Sequence, residues 1–149
     1  MIRFLDIPME RWDERHHITV RASAFLIAKF LPIMMENDFG IIANTIAVEG
    51  LSYGAYFSSA MVGQRSMILS LAGELGNDCK VNAFCFAPGV VDTPLVAENA
   101  DKFPGFYGMT QKEWIQNFVD NPGYGGLMPV EACAASYIYC LAHANEYHG

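Results

Sequence analysis

The stretch Ile41-Ile42-Ala43-Asn44-Thr45-Ile46-Ala47-Val48 decides the fold of this chain. It is apolar on both faces of an extended backbone, which predicts a buried parallel strand. A second β-rich run extends from Lys80 to Phe86 and is broken by Ala87-Pro88-Gly89. Between the two runs, a predicted helix begins with Ser52 as its N-cap and ends at Gly76-Asn77-Asp78. Strand, helix and strand at this spacing predict a βαβ unit with a right-handed crossover.

The regions on either side of this unit complete a predicted single α/β domain over residues 1–149. Upstream, Pro8 begins a helix that extends to about Glu36, with Pro32 expected to kink or tighten its last turn. Downstream, residues 95–128 are rich in glycine, proline and aromatics, which predicts a binding lid. Pro129 begins a last helix that ends near Ala144. The inward face of the central helix is predicted to carry Tyr56, Ala60, Met67, Leu71 and Leu75.

Composition narrows the range of partners. The net charge is -7 and no cluster of lysine and arginine exists, so we expect no nucleic acid partner. Hydrophobic residues are 52% of the chain and charged residues 17%, which suggests surface destined for a partner or for missing parts of the fold. The longest apolar stretch, Ala22 to Met35, is interrupted by Lys29 and Pro32, so no membrane span is expected. The first residues do not form a signal peptide, and a cytoplasmic location follows as an expectation.

The sulfur and imidazole side chains predict neither disulfides nor a metal site. The four cysteines, at positions 79, 85, 133 and 140, contain no Cys-x-x-Cys pair and are expected to be reduced. His16 and His17 are adjacent on a predicted helix and cannot both face one metal ion. We therefore expect no metal cofactor.

The order of these segments resembles the C-terminal half of a short-chain dehydrogenase/reductase, the family of single-domain nicotinamide-dependent oxidoreductases. The matching segments are Glu10-Arg11-Trp12-Asp13, Gly40-Ile41-Ile42-Ala43-Asn44, Leu69-Ser70-Leu71-Ala72-Gly73-Glu74-Leu75, Val81-Asn82, Pro88-Gly89-x-x-x-Thr93 and Pro129-Val130-Glu131-Ala132. The resemblance implies an incomplete Rossmann-like domain, doubly wound and parallel, that lacks the N-terminal nucleotide-binding half. It also implies NAD or NADP as the family cofactor.

The resemblance places a degenerate catalytic tetrad in this chain. Family members use Asn, Ser, Tyr and Lys, and only the tyrosine has a counterpart here, Tyr56. The other positions are occupied by Arg21 for asparagine, Ala47 (with Ile46 as the alternative) for serine, and Ala60 for lysine. A free phenol has a pKa near 10, and the family's lysine lowers it from one helical turn away. Without that lysine, Tyr56 is expected to be a poor acid-base catalyst.

The cofactor-binding half of the family pattern is also incomplete. Pro88, Gly89, Val91 and Thr93 match the segment that passes under the nicotinamide. The family's glycine-rich phosphate turn has no counterpart, because no strand in the chain is followed by one. We therefore expect neither NAD nor NADP to bind tightly to this chain alone.

Two functions stay open from the sequence. The first is a non-catalytic protein or fragment that associates with itself, as a homo-oligomer, or with a complete family member. The second is an NAD(P)-dependent oxidoreductase acting on a carbonyl or hydroxyl substrate and completed by a missing or separate N-terminal half. Six lid aromatics form either a substrate pocket or ordinary lid core: Phe103, Phe106, Tyr107, Trp114, Phe118 and Tyr124.

Overall fold

A computed structural model describes residues 2–47, 53–100, 110, 112–113, 116 and 123–149. Its helices are α1 (Met9–His16), α2 (Ala22–Glu36), α3 (Ala55–Leu75), α4 (Pro94–Ala100) and α5 (Val130–Ala142), with a π-helical segment, His17–Arg21, joining α1 to α2. Short 3-10 helices lie at Phe4–Asp6 and Ala144–Glu146. The strands are β1 (Gly40–Thr45) and β2 (Val81–Phe86).

The predicted βαβ unit is confirmed. β1 pairs with β2 in parallel register, from Gly40 opposite Val81 to Thr45 opposite Phe86. β1 ends at Thr45, opposite Phe86, and the predicted last residue of the strand, Val48, lies outside the described residues. One further ladder bond, from the Ile46 N–H to the Phe86 oxygen at 2.9 Å, closes the pairing.

The start of α3 differs from the prediction. The helix begins at Ala55 with Gly54 as its N-cap, and no side chain caps it. Tyr53 has φ 59°, a left-handed conformation that cannot continue into a helix, so the helix starts after it. Ser52, the predicted N-cap, lies outside the described residues. The predicted end is confirmed, because Gly76 follows Leu75 with φ 68°.

The middle turn of the long first helix is π-helical, which the sequence did not reveal. The predicted end near Glu36 is confirmed, because α2 continues for four residues beyond Pro32 to Glu36. It ends where Asn37 Nδ2 donates to the Ile33 carbonyl oxygen at 2.7 Å and Asp38 takes φ 51°. From Met9 to Glu36 this helix is long and apolar enough, by length and composition, to cross a membrane. The interruptions therefore do not exclude a span on composition, and the absence of a membrane partner stays a prediction.

The chain forms two compact units, one of residues 2–87 with 139–149 and one of residues 88–138. The core of the first unit is a cluster of five buried side chains from β1, α3 and β2: Ile42, Ile68, Ala72, Val81 and Ala83. Ile27, Leu31 and Met34 of α2 are partly buried against this cluster. The prediction of one domain with a lid over 95–128 stays a prediction, since much of that segment lies outside the described residues.

Candidate functional site

Tyr56 lies in the first turn of α3 and is half-buried. Its backbone carbonyl accepts a hydrogen bond from Ser59 Oγ at 3.3 Å. Position 56 begins a row of residues spaced by four along α3, and this row leads through position 60 into the packed side of the helix. The tyrosine thus stands at the open end of a row whose other members are buried.

Ala60, at the predicted lysine position, is completely buried, with 0% of its surface exposed. The next members of the row, Gln64, Ile68 and Ala72, are buried as well. Gln64 Nε2 donates to Ser23 Oγ of α2 at 3.0 Å, so this side of α3 faces its neighbouring helix. A lysine at position 60 would therefore lose its hydration with no carboxylate shown to receive it. One position along, Phe57 and Met61 are partly exposed and carry no ionisable group.

The serine and asparagine positions also lack catalytic groups. Ala47 follows β1 and is half-buried, and its methyl side chain offers no hydrogen bond to a substrate oxygen. Arg21 is exposed at the end of the π-helical segment. The buried polar residue of that segment is Thr19, which the sequence analysis did not single out. The assignment of Ala47, Arg21 and Ala60 to the tetrad stays a prediction.

The four predicted cofactor positions belong to the unit of residues 88–138. Gly89 has φ 75°, a left-handed conformation that glycine adopts without strain. Val91 forms a parallel bridge with Met128, and the Asp92 N–H donates to the Met128 oxygen at 2.9 Å. Thr93 precedes α4, and its Oγ1 accepts from the Val96 N–H at 3.4 Å. The stretch from Pro88 to Thr93 thus forms a turn that leads into a capped helix. Its contact with a nicotinamide stays a prediction.

Thr110 and Glu113 form a capping box within the segment 95–128. The Thr110 N–H donates to Glu113 Oε2 at 2.7 Å, and the Glu113 N–H donates to Thr110 Oγ1 at 3.2 Å. The Thr110 backbone N–H, and then its hydroxyl, hold the pKa of Glu113 below its usual value. Of the six lid aromatics only Tyr124 is described, and it is exposed. Phe103, Phe106, Tyr107, Trp114 and Phe118 lie outside the described residues.

Thiol and metal chemistry receive no support from the described part of the chain. All four cysteines are free thiols, and burial raises the pKa of Cys85, although the positive charge of Arg65 opposes the shift. No group of three or more His, Cys, Asp or Glu side chains comes together among the described residues. The sulfhydryls therefore behave as small packing groups at neutral pH.

The open face of the first unit lies along α2 and β1. A groove of about 230 Å³ runs between them, lined by Leu26, Phe30 and Met34 of α2 and by residues 41–44 of β1. At its edge, Asn44 Nδ2 is buried and makes no hydrogen bond to the residues that the structure describes. An unmade hydrogen bond on a buried amide costs about 1–3 kcal/mol. We call α2 and β1 together the open face.

The residues at the predicted positions do not fit a nicotinamide dinucleotide. The predicted lysine position is the buried Ala60, the predicted serine position is Ala47, and Thr93 Oγ1 accepts the hydrogen bond that caps a helix. No described strand is followed by a glycine-rich turn whose N–H groups could hold the pyrophosphate. We therefore derive no hydride-transfer step for this chain.

Comparison with known proteins identifies the source of this arrangement. Residues 1–103 match the family model described as short chain dehydrogenase. Dehydrogenase/reductase SDR family member 6 from Xenopus laevis is 23% identical over 146 residues, which are 96% of this chain and 58% of that protein. The protein of the same name from Danio rerio is 24% identical over 146 residues. This chain thus spans less than two thirds of the curated relatives it matches.

Solved structures agree on the fold. Sorbitol-6-phosphate 2-dehydrogenase from Erwinia amylovora has a TM-score of 0.80 at 17% identity. The match covers 95% of this chain and 56% of the dehydrogenase chain. L-Sorbose reductase from Gluconobacter frateurii, complexed with NADPH and L-sorbose, has a TM-score of 0.75 at 20% identity. The match covers 92% of this chain and 53% of the reductase chain. The expectation of a partial Rossmann-like domain is confirmed by this half coverage. The chain belongs to the short-chain dehydrogenase family.

Proposed function

We propose that this chain is a non-catalytic short-chain dehydrogenase-like protein, a pseudoenzyme or fragment, that acts by association with a second copy of itself. The observation that carries the proposal is the apolar surface of α2. No residue of α2 is buried, and five of its large apolar side chains are more than half exposed: Phe25, Leu26, Phe30, Ile33 and Met35. Apolar surface gathered on one helix is typical of a protein interface.

The chemistry of the site supports the same proposal. Ala60 is sealed inside the packed side of α3, and no acid or base stands beside Tyr56 at the predicted positions. A family member with these substitutions retains the architecture of the C-terminal half without its proton relay. We therefore expect such a protein to act through its binding surface and not through catalysis. We keep the predicted cytoplasmic location as part of this proposal.

The test is the mass of the purified chain by size-exclusion chromatography with light scattering. We expect the wild type to be a discrete oligomer, and the variant Leu26→Glu/Phe30→Glu to dissociate at least about tenfold more readily, because it places charge in the interface. Leu5→Glu is the matched control, since Leu5 is 94% exposed on the short 3-10 helix and should leave the mass unchanged. A monomeric wild type contradicts self-association. A mixed complex with a complete family member identifies that relative as the partner instead.

A second candidate is an NAD(P)-dependent oxidoreductase that acts on a carbonyl or hydroxyl substrate and is completed by a separate N-terminal half. The specific observation in its favour is the groove beside β1 with the unpartnered Asn44 amide. Titration with NADH and NADPH, followed by nicotinamide fluorescence, separates the two candidates. We expect no saturable binding by this chain alone. Binding that appears only when the N-terminal half of a complete relative is added supports the second candidate.

A further inference from the structure

The outward side of α2 carries a regular stripe of side chains. Its members recur at intervals of three or four residues and are all exposed: Ala22, Phe25, Lys29, Pro32 and Glu36. Such intervals keep side chains on one side of an α-helix. The other side of α2 packs against the core through Ile27, Leu31 and Met34. The stripe therefore faces away from the core of this chain.

The two charged residues of α2, Lys29 and Glu36, both belong to the outward stripe. They are two helical turns apart, or about 10.5 Å along the helix axis. In the part of the chain that the structure describes, neither forms an ion pair. Lys29 Nζ lies instead 5.7 Å from the centre of the Phe25 ring, one turn earlier. The stripe thus presents one positive and one negative group, with the exposed Pro32 and Ile33 between them.

This order of charges discriminates between the ways in which two copies of α2 can pair. In a parallel two-fold pair each residue faces its own counterpart, so two Lys29 ammonium groups would meet, and so would two Glu36 carboxylates. Like charges brought together across an interface oppose association. In an antiparallel pair with its two-fold axis between Pro32 and Ile33, Lys29 of one copy lies opposite Glu36 of the other. The two-fold axis repeats this contact, so both charges of both copies are matched.

The apolar neighbours of the two charges supply the contact that an ion pair alone lacks. Phe25, Leu26 and Ile33 are 57%, 53% and 54% exposed, and they lie within or beside the stripe. An ion pair at an exposed surface contributes little to affinity, whereas charges at an interface determine partner and register. We therefore assign the affinity to the apolar side chains and the register to Lys29 and Glu36.

We propose that α2 pairs antiparallel with α2 of a second copy, with the two-fold axis between Pro32 and Ile33, and that reciprocal ion pairs between Lys29 and Glu36 fix this register. The proposal rests on the proposed self-association and adds to it a geometry and two specificity-determining residues. Because a two-fold interface uses the same surface on both copies, the assembly closes as a dimer.

Charge reversal tests the register. Lys29→Glu leaves two carboxylates on the stripe and Glu36→Lys leaves two ammonium groups, so each variant repels its own copies. We expect each variant alone to dissociate at least about tenfold more readily than wild type, measured by light scattering over a dilution series. An equimolar mixture of the two variants should regain the wild-type mass, because each then faces its complement.

Two further variants serve as controls. Lys80→Glu makes the same change of charge at an exposed residue outside α2 and should keep the wild-type mass. The double reversal Lys29→Glu/Glu36→Lys exchanges the members of each ion pair and should also associate as wild type does. Equal weakening by Lys80→Glu would indicate a general effect of charge and overturn the assignment to the stripe.

The outcomes separate this proposal from the one on which it rests. Weakening of both single variants together with recovery in their mixture supports the antiparallel register. Wild-type association of either single variant, or a mixture no stronger than its components, overturns the register and leaves self-association standing. A monomeric wild type overturns self-association and the register with it. If a single variant does not fold, the double reversal decides, since its dissociation overturns the register.

Discussion

The helices α2 and α3 flank the same strands, yet they differ in how much of themselves this chain covers. α3 buries Ser58, Ala60, Gln64, Ile68 and Ala72, whereas α2 buries none of its 15 residues. Both helices are rich in apolar side chains, so composition does not account for the difference. α3 has its partners within the chain, and α2 contributes only Ile27, Leu31 and Met34 to the edge of the core. α3 is thus covered within the chain, whereas α2 leaves most of its apolar side chains exposed.

The largest expected effect comes from restoring the missing lysine. Ala60→Lys places an ammonium group in a sealed site on α3, which costs about 4–5 kcal/mol at pH 7 if its pKa falls by about 3–5 units, because the lysine becomes neutral once its pKa lies below the pH. Chemical denaturation should show this loss, or the variant should fail to fold. Ser59→Lys, one position along on the exposed side, is the control and should unfold close to wild type. A stable Ala60→Lys variant would show that position 60 opens to solvent.

Removing core volume distinguishes the two helices directly. Ile68 of α3 is 0% exposed, and Ile68→Ala should lower the free energy of unfolding by about 2–5 kcal/mol through lost burial and the cavity left behind. In the dissociated monomer, Ile33→Ala on α2 removes the same atoms from an exposed site and should change the free energy of unfolding by less than about 0.5 kcal/mol. Urea denaturation at a protein concentration low enough to dissociate the oligomer measures both. At higher concentration the loss from Ile33→Ala should grow, because the proposed self-association covers α2. Equal losses in the monomer would contradict the exposure of α2.

Alanine substitutions at two glycines are expected to change the stability of the protein in opposite directions. A Cβ on Gly40, at the start of β1, would lie 2.6 Å from Met34 Cβ of α2, so Gly40→Ala should destabilise the protein by about 1–3 kcal/mol. A Cβ on Gly73 in α3 meets nothing within 4 Å, and Gly73→Ala should stabilise by about 0.5–1 kcal/mol because glycine is a poor helix former. Thermal unfolding of the pair checks the close approach of α2 to β1. Stabilisation by both substitutions would show that α2 moves away from β1 near Gly40.

The smallest expected effect is the pH dependence of the capping box. The bonds from Thr110 lower the pKa of Glu113 in the folded protein. Their contribution is therefore fully present above the pKa of Glu113 in the unfolded chain and is lost as the pH falls through the folded value. NMR titration of the Glu113 carboxyl carbon should give a lower midpoint in wild type than in Thr110→Val. Equal midpoints would show that the Thr110 hydroxyl does not bond to Glu113 in solution, since valine keeps the backbone N–H.

The sequence was sufficient for the βαβ unit because its signals are local. Two apolar runs separated by a helical interval have few other solutions in a parallel sheet. The element ends were less predictable. The pairing of β1 with β2 ends at Thr45 opposite Phe86, and α3 begins only after Tyr53, which has a left-handed backbone conformation. Both limits depend on residues distant from the element in question or on a conformation that propensity does not encode.

The candidate site was harder to predict than the fold. Assignment of Tyr56 and Ala60 fixes a helical row, but the burial of that row is set by α2 and the π-helical segment. A shift of one residue along α3 rotates a side chain by about 100°, from the packed side to a partly open one. Three features arise from tertiary contacts that no sequence motif predicts: the burial of the Asn44 amide, the hydrogen bonds of His148 and the burial of Thr19.

The π-helical segment His17–Arg21 absorbs one residue within the long first helix. Its wider turn holds one more residue than an α-helical turn, so α1 and α2 keep nearly the same angular register on either side of it. Loss of one residue there should therefore convert the turn to α-helix and leave the faces of α1 and α2 nearly in place. The contact of Arg15 with Phe57, whose ring lies 5.3 Å from the Arg15 guanidinium, should survive such a deletion.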